Sequence, residues 1–211
     1  MAAPLAAGAL EPQGPAARAI ADLWWLMLVL GVAVFVVFGV VLALGLRRTG
    51  DESGTGEVKR FGRWFVVGGV VVPLIILIVV FGATLYAMRA VPAAAPEDAL
   101  VVEVTGHQWW YEVHYPEQGV TVTDELHMPV GRPVSLLLTS SDVIHSFWVP
   151  ALGGKMDMLP DGINTLVLQA DVPGRHRAQC AEFCGLEHAK MQLTVVAEPA
   201  DRFSAWVAAQ Q

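Results

Sequence analysis

Cys180-Ala-Glu-Phe-Cys184-Gly-Leu-Glu-His188-Ala-Lys-Met191 places two thiols, an imidazole and a thioether within one short run, and these are the chain's only two cysteines. Thiolate and thioether are soft donors that suit copper, imidazole suits copper or zinc, and the mixture points first to a copper electron-transfer site. Two plainer readings stand beside it. Cys180 and Cys184 can form a disulfide in an oxidising compartment, and a structural zinc site can use cysteine and histidine, although it has no role for Met191. A second histidine lies upstream, His145 in Ser140-Ser-Asp-Val-Ile-His145-Ser-Phe-Trp-Val-Pro150. A redox site has to change oxidation state with little ligand movement, so its ligands belong on loops held by a stiff scaffold. The scaffold expected around this run is therefore β.

The flanking sequence agrees. Residues 101–105, 109–115, 120–126, 133–139, 164–170 and 191–197 are short runs rich in β-branched and aromatic residues, parted by Gly, Pro, Asp or Asn. Several short strands at that spacing predict a sandwich or Greek-key barrel, with the cysteine run between the last two. A small, proline-rich linker, 90–98, precedes them.

Hydrophobic residues make up 55% of the 211, and the excess sits in the first ninety positions. No charge interrupts 23–46 or 64–88. At about 1.5 Å of rise per residue each run crosses a hydrocarbon core of roughly 30 Å, so both predict membrane-spanning helices within a hairpin at 22–89. Trp64 and Tyr86 fall near the ends of the second, as interfacial aromatics do, and Gly68-Gly69 and Pro73 are expected to loosen it. The connection, 47–63, carries Arg47, Arg48, Lys59, Arg60 and Arg63, which predicts a cytoplasmic loop with both hairpin ends outside. Residues 1–21 carry only Glu11 and Arg18 and have no basic segment ahead of an apolar run, so they read as a short leader without fixed structure.

The run 180–191, with Asp142-Val-Ile-His145-Ser before it and Gly106-His-Gln-Trp109 before that, resembles subunit II of the haem-copper cytochrome c oxidases, which carries the binuclear copper centre CuA. Three separated motifs occur in that family's order behind a two-helix anchor. The resemblance implies an all-β, cupredoxin-like Greek-key domain over 99–199, leaving 200–211 as a tail. It implies Cys180 and Cys184 as bridging thiolates, His145 and His188 as one imidazole per copper, and Met191 and the backbone carbonyl of Glu182 as weak ligands. The Glu182 side chain would reach a magnesium ion shared with subunit I. Trp109 would be the surface residue through which cytochrome c delivers electrons, although Trp110-Tyr111 follows where the family often has Tyr-Trp. The implied partners are subunit I, further oxidase subunits, cytochrome c and the lipid bilayer. The implied place is a bacterial-type plasma membrane with the N-terminus and the copper domain on the outer side.

Charge fits a basic donor. Residues 97–211 hold fifteen Asp and Glu against six Lys and Arg, an excess that steers cations towards the domain. Glu112, Glu125, Asp142 and Asp161, by their proximity to the motifs, are the candidates for a docking patch. The loop around Lys155 and Asp157 resembles the family's loop after the first histidine, and the resemblance implies that it faces subunit I. His107, His114, His127 and His176 lack thiol neighbours in sequence and read as structural or solvated. Phe203, Trp206 and Val207 predict one apolar face on a short helix in the tail. No Ser/His/Asp arrangement, phosphate-binding glycine loop, CxxCH haem motif or basic nucleic-acid patch occurs, so the chain reads as a component of an oxidoreductase that works through its partner. Two other classes stay open: a quinol oxidase subunit II without copper, and a membrane-tethered carrier with a single copper.

Overall fold

A computed structural model describes residues 5–6, 8–47, 62, 64–92 and 94–211. The chain divides into two units, Asp22–Met88 and the remainder.

Among the described residues, two helices are long and apolar enough to cross a membrane. The first, α1 (Pro15–Arg47), starts ahead of the uncharged run. Pro15 suits a first helical position, where its missing N–H is not needed, and the alanines after it are strong helix formers. The second span, Trp64–Ala90, contains the expected loosening. A π-helical turn, Val67–Val71, includes Gly68-Gly69 and leads into α2 (Val72–Ala87). Pro73 has no N–H to offer the carbonyl of Gly69, and the wider turn takes up that irregularity. Side chains such as Phe35 and Phe81 stand exposed along the spans, as surfaces meant for lipid do. The expected basic loop lies outside the described residues, except for Arg47 and Gly62.

The second unit is a two-sheet sandwich. Its strands are β1 (Leu5–Ala6), β2 (Leu100–His107), β3 (Trp110–Tyr115), β4 (Val120–Thr123), β5 (Glu125–Pro129), β6 (Val134–Ser140), β7 (His145–Trp148), β8 (Met156–Met158), β9 (Asn164–Leu168), β10 (Gly174–Cys180) and β11 (Gln192–Glu198). One sheet runs β4-β3-β2-β6-β9, and the other β5-β11-β10-β7-β8 with β1 added to β10. The pairings β2 with β6 and β11 with β5 are parallel, which makes the order Greek-key rather than a simple meander. Period-two alternation turns Leu100, Val102 and Val104 inward from β2, Tyr111, Val113 and Tyr115 from β3, and Leu193, Val195 and Ala197 from β11. On β10 the same alternation buries His176, Ala178 and Cys180, so the first thiol enters the core face as the last residue of its strand.

Several features depart from the strand expectations, and the short strands β7 and β8 lie outside the expected runs. The run 120–126 is not one strand: Asp124, at φ 53°, ends β4 in one sheet and sends β5 into the other. Its carboxylate accepts the Tyr111 N–H at 2.8 Å and its carbonyl the Thr194 N–H at 3.0 Å, so the bend ties both sheets together. β10 was not anticipated, because Gly174-Arg-His-Arg-Ala-Gln-Cys180 holds no β-branched residue; its partners β11 and β7 impose the conformation. The cysteine run therefore joins β10 to β11, one strand later than expected. The tail forms α3 (Ala200–Gln210) as anticipated, with Phe203 buried and Trp206 stacked on His127 at 4.0 Å.

The described part of the leader is ordered, which corrects the expectation for it. Gln13 donates its N–H to the Ala151 carbonyl at 2.7 Å and accepts the Asp171 N–H at 2.8 Å. Arg18 pairs with Asp171, and Ala16 and Ala17 are buried against the domain. β1 extends β10 at Arg175 and His176, along the edge that β7 leaves open by pairing only at Gln179 and Cys180. Small side chains and backbone hydrogen bonds do this, and neither leaves a hydrophobic pattern in sequence.

His176 yields a pH prediction. It is buried, neither ring nitrogen has a hydrogen-bond partner among the described residues, and burial lowers its pKa below the ordinary 6.5. The unfolded chain takes up a proton near 6.5 that the folded chain refuses, so this residue's stabilising effect holds above that pH and is lost as pH falls below it. Wild type should therefore lose melting temperature relative to His176→Leu between pH 7 and 5.5, at up to about 1.4 kcal/mol per pH unit. A difference that stays constant across that range would remove His176 from the acid response.

Candidate metal centre

The fold brings the six expected metal-ligand residues to one end of the sandwich. His145 opens β7, Cys180 closes β10, Glu182 and Cys184 follow on the connecting loop, His188 begins a 3₁₀ turn (His188–Lys190), and Met191 precedes β11. The backbone closes the loop on itself: Cys180 donates its N–H to the Met191 carbonyl at 3.1 Å, and Ala181 to that of Ser146 at 3.3 Å.

Both cysteines are free and buried, with their sulfurs 3.7 Å apart. A disulfide would require about 2.05 Å, so that alternative is not realised. Each sulfur has its own imidazole. Nδ1 of His145 lies 3.9 Å from Cys180 Sγ, and Nδ1 of His188 lies 3.5 Å from Cys184 Sγ. The Cys180 thiol reaches the Glu182 carbonyl at 3.2 Å, and the Met191 sulfur lies 3.9 Å from Cys184 Sγ. The metal-capable atoms of His145, Cys180 and Cys184 all fall within 4.8 Å of one another. Two sulfurs in the middle, one nitrogen at each side and one weak donor per side form a nearly symmetrical set, which suits two soft metal ions sharing the thiolates better than one tetrahedral zinc.

Electrostatics favour one thiolate at once. Burial opposes ionisation of Cys180, but hydrogen bonds from His145 and the backbone of Glu182 and Ser146 outweigh it and bring its pKa down to about 6. Burial and the neighbouring Cys180 charge push Cys184 up to about 12. A metal that takes both sulfurs therefore has to displace the Cys184 proton, and binding releases it.

The surrounding contacts include residues the motif reading did not single out for this purpose. Asp142 Oδ1 lies 2.8 Å from His145 Nε2, which turns Nδ1 towards the sulfurs. That bond and the N–H groups of Val143 and Gln108 overcome burial and hold Asp142 below its usual pKa. Its spacing of three residues before His145 was the available signal. Tyr111 donates to the Ser146 carbonyl at 3.2 Å, and burial with the nearby thiols raises its pKa. Gly106 lets the His145 side chain lie against it: a Cβ there would meet two ring carbons at 2.9 and 3.1 Å and the His145 Cβ at 3.3 Å.

Trp109 is half-buried over the ligand loop and donates Nε1–H to the Cys184 carbonyl at 3.2 Å. Its two neighbours differ in surroundings. Tyr111 is core, stacked edge-on against Phe147, whereas Trp110 lies flat on His107 at 4.1 Å. The Glu182 carboxylate points away from the sulfurs to Lys155 at 3.4 Å, and Lys155 also holds Asp157 at 3.1 Å. Of the candidate docking acids, Asp142 is engaged with His145, while Glu125 lies by His127 and Arg175, at 3.5 and 3.8 Å. The metal-capable cluster among the described residues is His145, Cys180 and Cys184, and His107, His114, His127 and His176 are not in it.

Known proteins resemble the chain over most of its length. Residues 119–198 match the family described as cytochrome c oxidase subunit II, periplasmic domain. The chain is 35% identical to cytochrome c oxidase subunit 2 of Alkalihalophilus pseudofirmus, over 94% of this chain and 60% of that one. It is also 31% identical to quinol oxidase subunit 2 of Bacillus cereus, over 94% of this chain and 71% of that one. Among solved structures, it resembles the periplasmic domain of subunit II of cytochrome oxidase from Bradyrhizobium japonicum, with a TM-score of 0.54 and 28% identity over 56% of this chain and 96% of that domain. The chain thus spans 60% of the length of the first of these relatives. Two apolar spans with a domain like a periplasmic one make it a membrane-anchored chain with an extracytoplasmic domain. On this combination of anchor, sandwich and sequence identity, the chain belongs to the cytochrome c oxidase subunit II family.

Proposed function

We propose that the chain is the electron-accepting subunit of a cytochrome c oxidase, bringing electrons from cytochrome c to the haem-copper subunit I, where oxygen is reduced to water. The observation that carries this reading is the pair of unbonded buried thiols 3.7 Å apart, each facing its own imidazole. Cys180, Cys184, His145, His188, Met191 and the carbonyl of Glu182 would hold two coppers as CuA. Bound there, the copper pair would supply a one-electron couple. The protein keeps these ligands from moving. His145 is held by Asp142, Met191 and the cysteines are buried, and the loop is bonded at its start to β7 through Ala181 and at its end, through the Met191 carbonyl, to Cys180 of β10. The exposed Glu182 carboxylate is a hard oxygen donor suited to magnesium, and we assign it to the ion shared with subunit I. The basic connection between the spans supports a cytoplasmic loop, with the N-terminus and copper domain outside.

The relatives named quinol oxidase subunit 2 favour a second reading, in which a quinol oxidase uses the same scaffold without copper. Metal content decides between them. Two coppers per chain with a mixed-valence electron paramagnetic resonance signal are expected; no copper would establish the quinol reading, and one copper a tethered carrier. Trp109 tests the electron route. Trp109→Ala should keep copper while slowing reduction by cytochrome c by about tenfold, on the order of 1.4 kcal/mol in barrier. Unchanged stopped-flow kinetics would take Trp109 off the route.

A further inference from the structure

The turn between β2 and β3 grips both ligand-bearing segments through one residue. The backbone N–H of Gln108 donates to Asp142 Oδ2 at 2.8 Å, and the other oxygen of that carboxylate holds Nε2 of His145 at 2.8 Å. The side-chain Nε2 of Gln108 donates to the Cys184 carbonyl at 2.8 Å, the same oxygen that receives Trp109 Nε1. His145 arrives from β7 and Cys184 from the loop after β10, so a single glutamine spans two segments that are remote in sequence.

We propose that the Gln108 side chain is a positioning group for the metal centre, fixing the Cys184 peptide through its amide, while the backbone N–H of the same residue, which side-chain variants keep, braces Asp142 against His145. This role rests on the copper reading above. A carboxylate on one ring nitrogen determines the tautomer and aims the other at the metal. Two N–H donors on the Cys184 carbonyl pin the peptide that carries the second sulfur, and they orient positive dipoles towards it. Gln108 itself is exposed, so replacing its side chain removes a donor rather than core volume.

The test uses the full chain in detergent, loaded with copper, as wild type, Gln108→Leu and Gln108→Glu. Glutamate keeps the length but sets a carboxylate against the carbonyl. Both variants should release copper to a chelator about tenfold faster, with altered copper hyperfine splitting and midpoint potential, while the metal-free proteins melt close to wild type. Release and hyperfine splitting unchanged in Gln108→Leu would overturn the role. So would loss in Gln108→Leu with full retention in Gln108→Glu, since side-chain packing would then be the cause. If the leucine variant does not fold, Gln108→Glu decides alone, and wild-type behaviour in it overturns the role. A wild-type chain that takes up no copper would overturn the copper reading and this role together, whereas normal wild-type uptake with unaltered variants overturns this role only.

Discussion

Cys184→Ser should leave the chain unable to hold two coppers. A serine hydroxyl is a hard, largely protonated oxygen, and it would stand where a soft thiolate has to face Cys180 at 3.7 Å, His188 Nδ1 at 3.5 Å and Met191 at 3.9 Å. Loss of an outer-sphere partner costs metal sites roughly 10–100-fold in affinity, and loss of a shared ligand should exceed that. The fold should survive, because the change removes little volume and the core is built from β2, β3, β6 and β11. Metal analysis with far-ultraviolet circular dichroism checks both halves. Two coppers and normal cytochrome c oxidation in the serine variant would refute the ligand assignment.

Gly185→Ala should cost both stability and electron uptake. Gly185 sits at φ 123°, a region L side chains rarely adopt, and a Cβ there would lie 3.1 Å from Trp109 Cζ2 and 3.2 Å from Gln108 Nε2. A residue forced into such backbone costs on the order of 1–3 kcal/mol. The relief available is to move the Trp109 ring or the Gln108 amide, and both donate hydrogen bonds to the Cys184 carbonyl. The expected result is a lower melting temperature in the metal-free chain and slower reduction by cytochrome c in the loaded one. Wild-type values for both would show that the loop and Trp109 are not packed as described.

The legible and illegible parts of the molecule separate by the range of the forces involved. The two spans were readable because crossing a bilayer demands a long uncharged run, a property of consecutive residues. Most strands of the first sheet were readable for a similar reason, as the runs rich in β-branched and aromatic residues at 101–105, 109–115 and 133–139 fall on β2, β3 and β6. β10 was not, since its polar residues become a strand only when β11, β7 and β1 hydrogen-bond to it. Residues 8–21 were misread because their attachment runs through Gln13 backbone groups and alanines.

From the sequence alone came the donor types: soft sulfur and imidazole in the run 180–191, with a second histidine upstream and a β scaffold expected around them. The order of the motifs was enough to suggest the family. Tertiary structure alone decided that His145 closes on Cys180, that the two sulfurs stay unbonded, that Asp142 orients a ring rather than lying free on the surface, and that Gln108 joins the two ligand segments. The physical reason is that donor chemistry belongs to each side chain separately, whereas a metal site depends on distances of a few ångströms between strands that only the folded sheets bring together.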